Sequence, residues 1–356
     1  MSGLGNADVA EQVAVREIAR EGARELFLTQ AEAGPEGLAA GEAHLEQGGA
    51  RVVFAELFTG EAAGAVAPEL PATWVCGAAS GPGWGGLQLA AVSGAEVRPV
   101  VLEGRAVGSV VVGPYATECR LSGLYPPDLT ATPEQQARAA FERLEQALEQ
   151  AGLDFSHVAR TWLFLDDILG WYGEFNHART TFFTERGVFD GLVPASTGIG
   201  GGNPAGAALV VGAYAIQPHH PGVTVQVVPS PLQCPAPRYG SSFSRAVEVA
   251  MPDLRRLFVS GTASIAPGGE TQHGGDVRAQ TVRTLEVIAA ILESRGMGWA
   301  DVTRATAYVR FPEDREILEE VRRAEGLPPL PVLVAAQVIC RDDLLFELEV
   351  DAVQAR

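Results

Sequence analysis

The stretch Gln136–Arg160, QARAAFERLEQALEQAGLDFSHVAR, lies over Gln280–Arg304, QTVRTLEVIAAILESRGMGWADVTR, without a gap. Identical pairs are Gln136/Gln280, Glu142/Glu286, Leu148/Leu292, Glu149/Glu293, Gly152/Gly296, Val158/Val302 and Arg160/Arg304. Phe141, Leu144, Ala147 and Leu148 match Leu285, Ile288, Ile291 and Leu292, the spacing of one apolar helical face. Gly152 and Gly296 then stand where each helix should stop. A strand follows in both copies, TWLFLDD from Thr161 and ATAYVRF from Ala305.

The match continues on either side. Upstream, CRLSGLYP (Cys119–Pro126) parallels LFVSGTAS (Leu257–Ser264), a strand running into a loop. Downstream, AALVVGAYAI (Ala207–Ile216) parallels LLFELEVDAV (Leu344–Val353), two closing strands rich in residues that suit a pleated sheet. The repeat unit is strand, helix, strand, helix, strand. So long a period means fused domains and not a solenoid. The expected class is α/β (α+β), two fused units, each a mixed β-sheet with two helices on one face. The expected boundaries are 96–222 for a degenerate first domain, 223–234 for a linker and 235–356 for the second domain. Residues 1–95 do not fit the repeat and read as an extension of the first domain's sheet. Within it, Asp8–Leu28 has a helical look, and Ala50–Phe58, Thr73–Ala79 and Leu87–Gly94 read as strands between Gly/Pro turns.

Composition bounds the function. The 356 residues are 47% hydrophobic and 20% charged, as in an ordinary globular protein, and carry a net charge of −18. Nothing basic offers a footing for a nucleic-acid backbone. The N-terminus lacks a basic stretch followed by an apolar run, and no uninterrupted apolar segment nears membrane-spanning length, so a cytoplasmic protein that does not associate with membranes is expected. Cys76, Cys119, Cys234 and Cys340 lie far apart with no CxxC pairing, which fits reduced thiols. His219 and His220 sit in a Pro/Gly connector and point opposite ways on an extended backbone, so no metal site is expected.

The second copy, with its VSG strand end, its helix start at Gln280 and its ELEVDAV ending, resembles the RidA (YjgF) superfamily. The tandem form resembles the chorismatases. That resemblance rests on VSGTASI (Val259–Ile265), ETQHGGD (Glu270–Asp276), RYGSSFSRA (Arg238–Ala246) and CRDDLLFELE (Cys340–Glu349), with RTW (Arg160–Trp162), YGEFNHAR (Tyr172–Arg179) and PASTGIG (Pro194–Gly200) in the first copy. It covers the chain from about Val97 onwards. The sequence departs from the family pattern at Phe164, at Ser230–Gln233 and at Gly240–Ser241.

The resemblance implies an enzyme that cleaves the enolpyruvyl ether of chorismate, releasing pyruvate, with Glu347 as the general acid. On strand pattern alone Glu347 shares its face with Glu349 and Asp351, opposite Leu344, Phe346, Leu348 and Val350, and reads as a solvated face. The first copy places Val211 there. A glutamate that protonates carbon near neutral pH must be raised from its reference pKa of about 4.3, so the family role requires a cleft roofed by the first domain.

A dicarboxylate substrate calls for arginines. The candidates are Arg179 and Arg160 with Tyr172 in the first copy, and Arg245 with Tyr239 in the second. A surface ion pair is the bland alternative for each, and a junction contact for Arg160, which Arg304 duplicates. The run Thr197–Asn203 precedes a strand, so it reads as a pocket-lining loop and not as a phosphate loop. Gly261 with Cys340 resembles the branch that makes 3-hydroxybenzoate; the hydrolytic branch yields a dihydrodiol acid. Two other readings stay open. One is a RidA-like enamine/imine deaminase, which lacks its arginine because Val332 stands in that place. The other is a non-catalytic small-molecule-binding protein, monomeric or homo-oligomeric, with fusion replacing a subunit interface.

Overall fold

The computed structural model describes residues 13–31, 35–60, 70–77 and 85–356. The described residues build three sheets. The first contains β1 (Val13–Arg20), β2 (Ala23–Ala31), β3 (Arg51–Thr59), β4 (Ala72–Cys76) and β5 (Gly86–Ser93), with helix α1 (Pro35–Gln47) between β2 and β3. The second contains β6 (Glu96–Leu102), β7 (Arg105–Val112), β8 (Ala116–Leu124), α2 (Pro133–Gln150), β9 (Val158–Leu165), α3 (Ile168–Glu185), β10 (Ala195–Gly200) and β11 (Leu209–Pro218). The third contains β12 (Thr224–Val228), β13 (Ala246–Ala250), β14 (Leu254–Ala263), α4 (Val277–Ser294), β15 (Val302–Val309), α5 (Ile317–Ala324), β16 (Val332–Ala336) and β17 (Phe346–Ala355).

The strand orders are β6-β7-β8-β11-β9-β10 and β12-β13-β14-β17-β15-β16, one topology used twice. The first sheet, β1-β2-β5-β3-β4, repeats that order without the first edge strand. A bulge recurs at one place in all three. Between the closing strand and its neighbour one residue is skipped on β3 between Val52 and Phe54, on β9 between Val158 and Arg160, and on β15 between Val302 and Arg304. Bulges are placed features of a fold, so their recurrence marks residues 13–93 as a further, shortened unit, the first of three in chain order.

Three expectations are corrected here. Residues 13–28 of the expected helix are strands β1 and β2, and residues 8–12 lie outside the described residues. The N-terminal strands form their own sheet and do not extend the first domain's. In addition, Thr224–Val228, expected in a linker, is the edge strand β12.

Each sheet turns one face to its helices and the other to the remaining sheets. Phe141, Leu144 and Leu148 of α2 pack with Leu163 and Val211, and Leu285, Ile288 and Leu292 of α4 pack with Ala307 and Leu348. Leu38 and Leu45 of α1 pack with Leu57 and Leu89. The inner faces share one cluster. Phe58, Phe164 and Tyr308, equivalent by the bulge register, meet there, with Phe58 5.8 Å from Phe164 and 6.2 Å from Tyr308 between ring centroids.

The repeated glutamine has a structural reason. Gln136 donates to the carbonyls of Leu129 and Ala131 and accepts from the Ala208 N–H at 2.9 Å. Gln280 donates to the carbonyls of His273 and Asp343 and accepts from the Leu345 N–H at 2.8 Å. Each ties a helix start to the entry of the closing strand and satisfies buried backbone groups. Thr132 with Gln135 forms a capping box at the start of α2, and Asp276 caps α4.

Candidate active site

The acidic face of β17 is buried. Glu347, Glu349 and Asp351 are 5%, 0% and 6% exposed, because the inner faces of the other units cover the strand. The solvated-face reading is therefore overturned. The Glu347 carboxyl is pushed up to about 8, first by burial and then by the neighbouring Glu349 carboxylate, against the pull of Arg160 and Arg245. It holds a proton at neutral pH.

Glu347 opens into a cavity of about 270 Å³ between the second and third units. That volume is at the small end for ligand pockets and fits a compact molecule. From the second unit, α3 contributes Tyr172, Asn176 and Arg179, and β10 contributes Ser196 and Gly198. From the third come Phe243, Arg245, Gly261, Cys340, Arg341 and Leu344. Arg179 is 2% exposed, donates to Asn176 Oδ1 at 2.7 Å and lies over the Phe175 ring. Arg245 donates from Nε to the Cys234 carbonyl at 3.0 Å, and Arg341 from Nη1 to the Gly269 carbonyl at 2.7 Å. Three guanidinium groups thus converge on one small cavity that also holds a neutral acid. Burial, then the Glu347 charge, pushes the Cys340 thiol up to about 12, so it is no thiolate nucleophile. Burial likewise raises the Tyr172 hydroxyl, which stays a proton donor.

Of the residues singled out in the sequence, Glu347, Arg179, Tyr172, Arg245, Gly261 and Cys340 line the cavity. Arg160 and Thr197 are not among the lining residues. Arg160 is fully buried and donates to Glu349 Oε2 at 2.8 Å and to Thr197 Oγ1 at 2.6 Å. Thr197 Oγ1 also accepts from the Gly261 N–H at 3.0 Å. Tyr239 ends a short 3-10 turn, and its side chain lies outside the described residues. The glycine run after Thr197 begins as strand β10 and ends where units meet: Gly200 N–H donates to the Val338 carbonyl and Gly202 exchanges hydrogen bonds with Cys76. A Cβ on Gly200 would lie 2.7 Å from the Val338 carbonyl oxygen, so close backbone approach requires glycine there. Sequence reasoning missed Arg341, Asn176, Ser196 and Phe243. Asn176 stands one helical turn before Arg179, a spacing that places both on one face.

The register also corrects the counterpart of Glu347. Glu347 stands opposite Tyr308, Val210 opposite Phe164 and Gly86 opposite Phe58. The second unit's equivalent is Val210, with Val211 facing the helices. Thus one of three equivalent positions carries an acid. At the junction of the third unit with the first, the Leu333 side chain fills the space a Cβ on Gly86 would need. Where all three units meet, Glu25 of the first pairs with Arg20 of its own unit, Arg120 of the second and Arg256 of the third, and Glu118 of the second pairs with Arg20.

Three α+β units around a shared core, with a polar cleft at one junction, define a small-molecule site built between repeats of one fold. The chain belongs to the endoribonuclease L-PSP family, the RidA superfamily, whose model matches residues 120–213 and 235–354. It is 33% identical over 222 residues to a chorismatase of Streptomyces rapamycinicus, a match covering 55% of this chain and 64% of that relative. It is 29% identical over 255 residues to a 3-hydroxybenzoate synthase of Streptomyces hygroscopicus, covering 64% of this chain and 72% of that one. A crystal structure of a chorismatase superposes on 95% of this chain and 100% of its own, with a TM-score of 0.69 at 20% identity, a likeness of fold. Among the described residues no helix is long and apolar enough to cross a membrane.

Proposed function

We propose that this protein is a chorismatase-like lyase that converts chorismate to 3-hydroxybenzoate and pyruvate without a cofactor. The observation that carries the reading is a glutamate still protonated at neutral pH, Glu347, facing a cavity lined by Arg179, Arg245 and Arg341. The names of the two Streptomyces relatives support the same substrate class.

In this reading the arginines hold the two substrate carboxylates, and Tyr172 donates a further hydrogen bond. Glu347 delivers its proton to the methylene carbon of the enolpyruvyl ether, which gives an oxocarbenium ion. The Glu347 carboxylate so formed faces that cation and stabilises it. The substrate's own ring hydroxyl attacks the cation to give a cyclic ketal and returns its proton to the Glu347 carboxylate. The bond from that oxygen to its ring carbon then breaks, the ring hydrogen on the ether carbon leaves as a proton, and the ring aromatises. The hemiketal takes up that proton at the aryl oxygen as it collapses to 3-hydroxybenzoate and pyruvate. No water is consumed. Cys340 and Leu344 on the cavity wall offer a water molecule little hydrogen bonding, which favours the intramolecular nucleophile over hydrolysis. The four free cysteines fit a reducing compartment, the cytoplasm.

Pyruvate release from chorismate, followed by a coupled reductase assay, tests the reading. Stoichiometric pyruvate is expected, and chorismate left unconsumed contradicts it.

A further inference from the structure

The mechanism uses Glu347 and leaves Glu349 unexplained. It is a fully buried acid two residues along β17, on the same strand face. Glu349 accepts from Arg160 of β9 at 2.8 Å and pairs with Arg304 of β15 at 2.8 Å, so arginines from two units hold it. Thr197 of β10 joins the group: its hydroxyl accepts from Arg160 and from the Gly261 N–H and also hydrogen-bonds Glu349. Gly261 in turn packs against the Glu347 carboxyl.

We infer that Glu349 is a positioning residue for the acid Glu347, a fixed anion clamped by Arg160, Arg304 and Thr197 that holds the proton on its neighbour. The inference rests on the reading of Glu347 as proton donor. A carboxylate two residues along the same strand face, in a poorly solvated interior, disfavours a second negative charge on its neighbour. The clamping arginines keep Glu349 ionised, against its own burial. The groups around Glu347 are Glu349 on its own strand, Arg160 on β9, Tyr308 on β15, Tyr172 and Arg179 on α3, and Arg245, Cys340 and Arg341 on the loops. Burial is the largest cause of its raised proton affinity; among the charged groups Glu349 raises it further, while Arg160 and Arg245 lower it. The clamp also explains why Arg160 and Arg304 recur in both copies: equivalent residues of two units meet on one carboxylate.

The test reads the titration of Glu347 in the unliganded protein, through the protonated-carboxyl stretch in the infrared difference between each variant and the same variant carrying Glu347→Gln. Glu349→Gln keeps shape and removes the charge, and the midpoint should fall by about one pH unit or more. Glu349→Asp keeps the charge and should hold the midpoint within about half a unit. Arg160→Gln removes an opposing cation while Arg304 and Thr197 still hold Glu349 ionised, and should raise it. Opposite displacements from Glu349→Gln and Arg160→Gln cannot come from general loosening of the core. An unmoved midpoint in Glu349→Gln, or the same sign of shift in both, overturns the inference. Because no substrate is present, that result stands whether or not chorismate is turned over; a shifted midpoint without turnover would contradict the proposed function alone.

Discussion

The carboxyl of Glu347 occupies the space that any side chain at position 261 would need. A Cβ built on Gly261 would overlap Glu347 Oε1 and lie 3.1 Å from Thr197 Cγ2, so the acid and the glycine are one feature contributed by strands β17 and β14. Gly261→Ala should therefore displace the acid and lower kcat by about 10²-fold, the scale of a 1 Å misplacement at a reacting centre. Steady-state kinetics check it. A variant within about threefold of wild type would mean that the carboxyl has room to move without cost.

The raised proton affinity of Glu347 fixes the sign of two pH effects. As the proton donor it must be protonated, so kcat should hold below about 8 and fall above it. A carboxyl whose folded value lies above its usual 4.5 takes up a proton on folding. Its contribution to stability is thus full below about 4.5 and is lost as pH rises towards 8. Glu347→Gln removes that loss. The variant should match wild type in thermal unfolding at pH 5 and exceed it at pH 9, by up to a few kcal/mol (~1.4 per pH unit). A wild type that gains on the variant with rising pH would refute the assignment.

Arg179 should act in binding. Truncation to alanine removes a charge-assisted contact worth about 1.5–3 kcal/mol, so KM should rise roughly 10- to 10²-fold with a smaller change in kcat. A fall in kcat at constant KM would instead place Arg179 in the chemical step.

The paired glutamines make a prediction about folding. Gln280→Leu leaves the Leu345 N–H and the carbonyls of His273 and Asp343 without their partner, at a cost of about 1–3 kcal/mol. Gln136→Leu should cost a similar amount through Ala208. Urea denaturation measures both, and a loss under about 0.5 kcal/mol, the size of an ordinary surface substitution, would remove glutamine from the architecture.

Two of the three units were legible because their helices keep a full apolar stripe and their closing strands are long. The first was not. Its edge strand β1 is largely exposed, with Val13, Val15, Arg16 and Glu17 all facing solvent, so its pattern lacks the alternation that marks a half-buried strand. Its closing strand β5 is buried on both faces and reads as a plain apolar run. The site was half legible. Glu347, Arg179 and Gly261 stood out through family motifs, but E-L-E-V-D by itself looks like a solvated strand. Its burial comes from units packing on one another, a relationship between segments far apart in sequence. Arg160 looked like a ligand contact; it is fully buried, hydrogen-bonds Glu349 and is not among the residues lining the cavity.

The most direct measurement is chromatography of products after chorismate is incubated with the wild type and with Glu347→Gln. The wild type should give 3-hydroxybenzoate and pyruvate in equal amounts with little dihydrodiol acid, and the variant should be slower by about 10²- to 10⁴-fold. A dominant dihydrodiol acid would contradict the intramolecular route; unconsumed chorismate, or full activity in the variant, would contradict the central claim that Glu347 cleaves the enolpyruvyl ether.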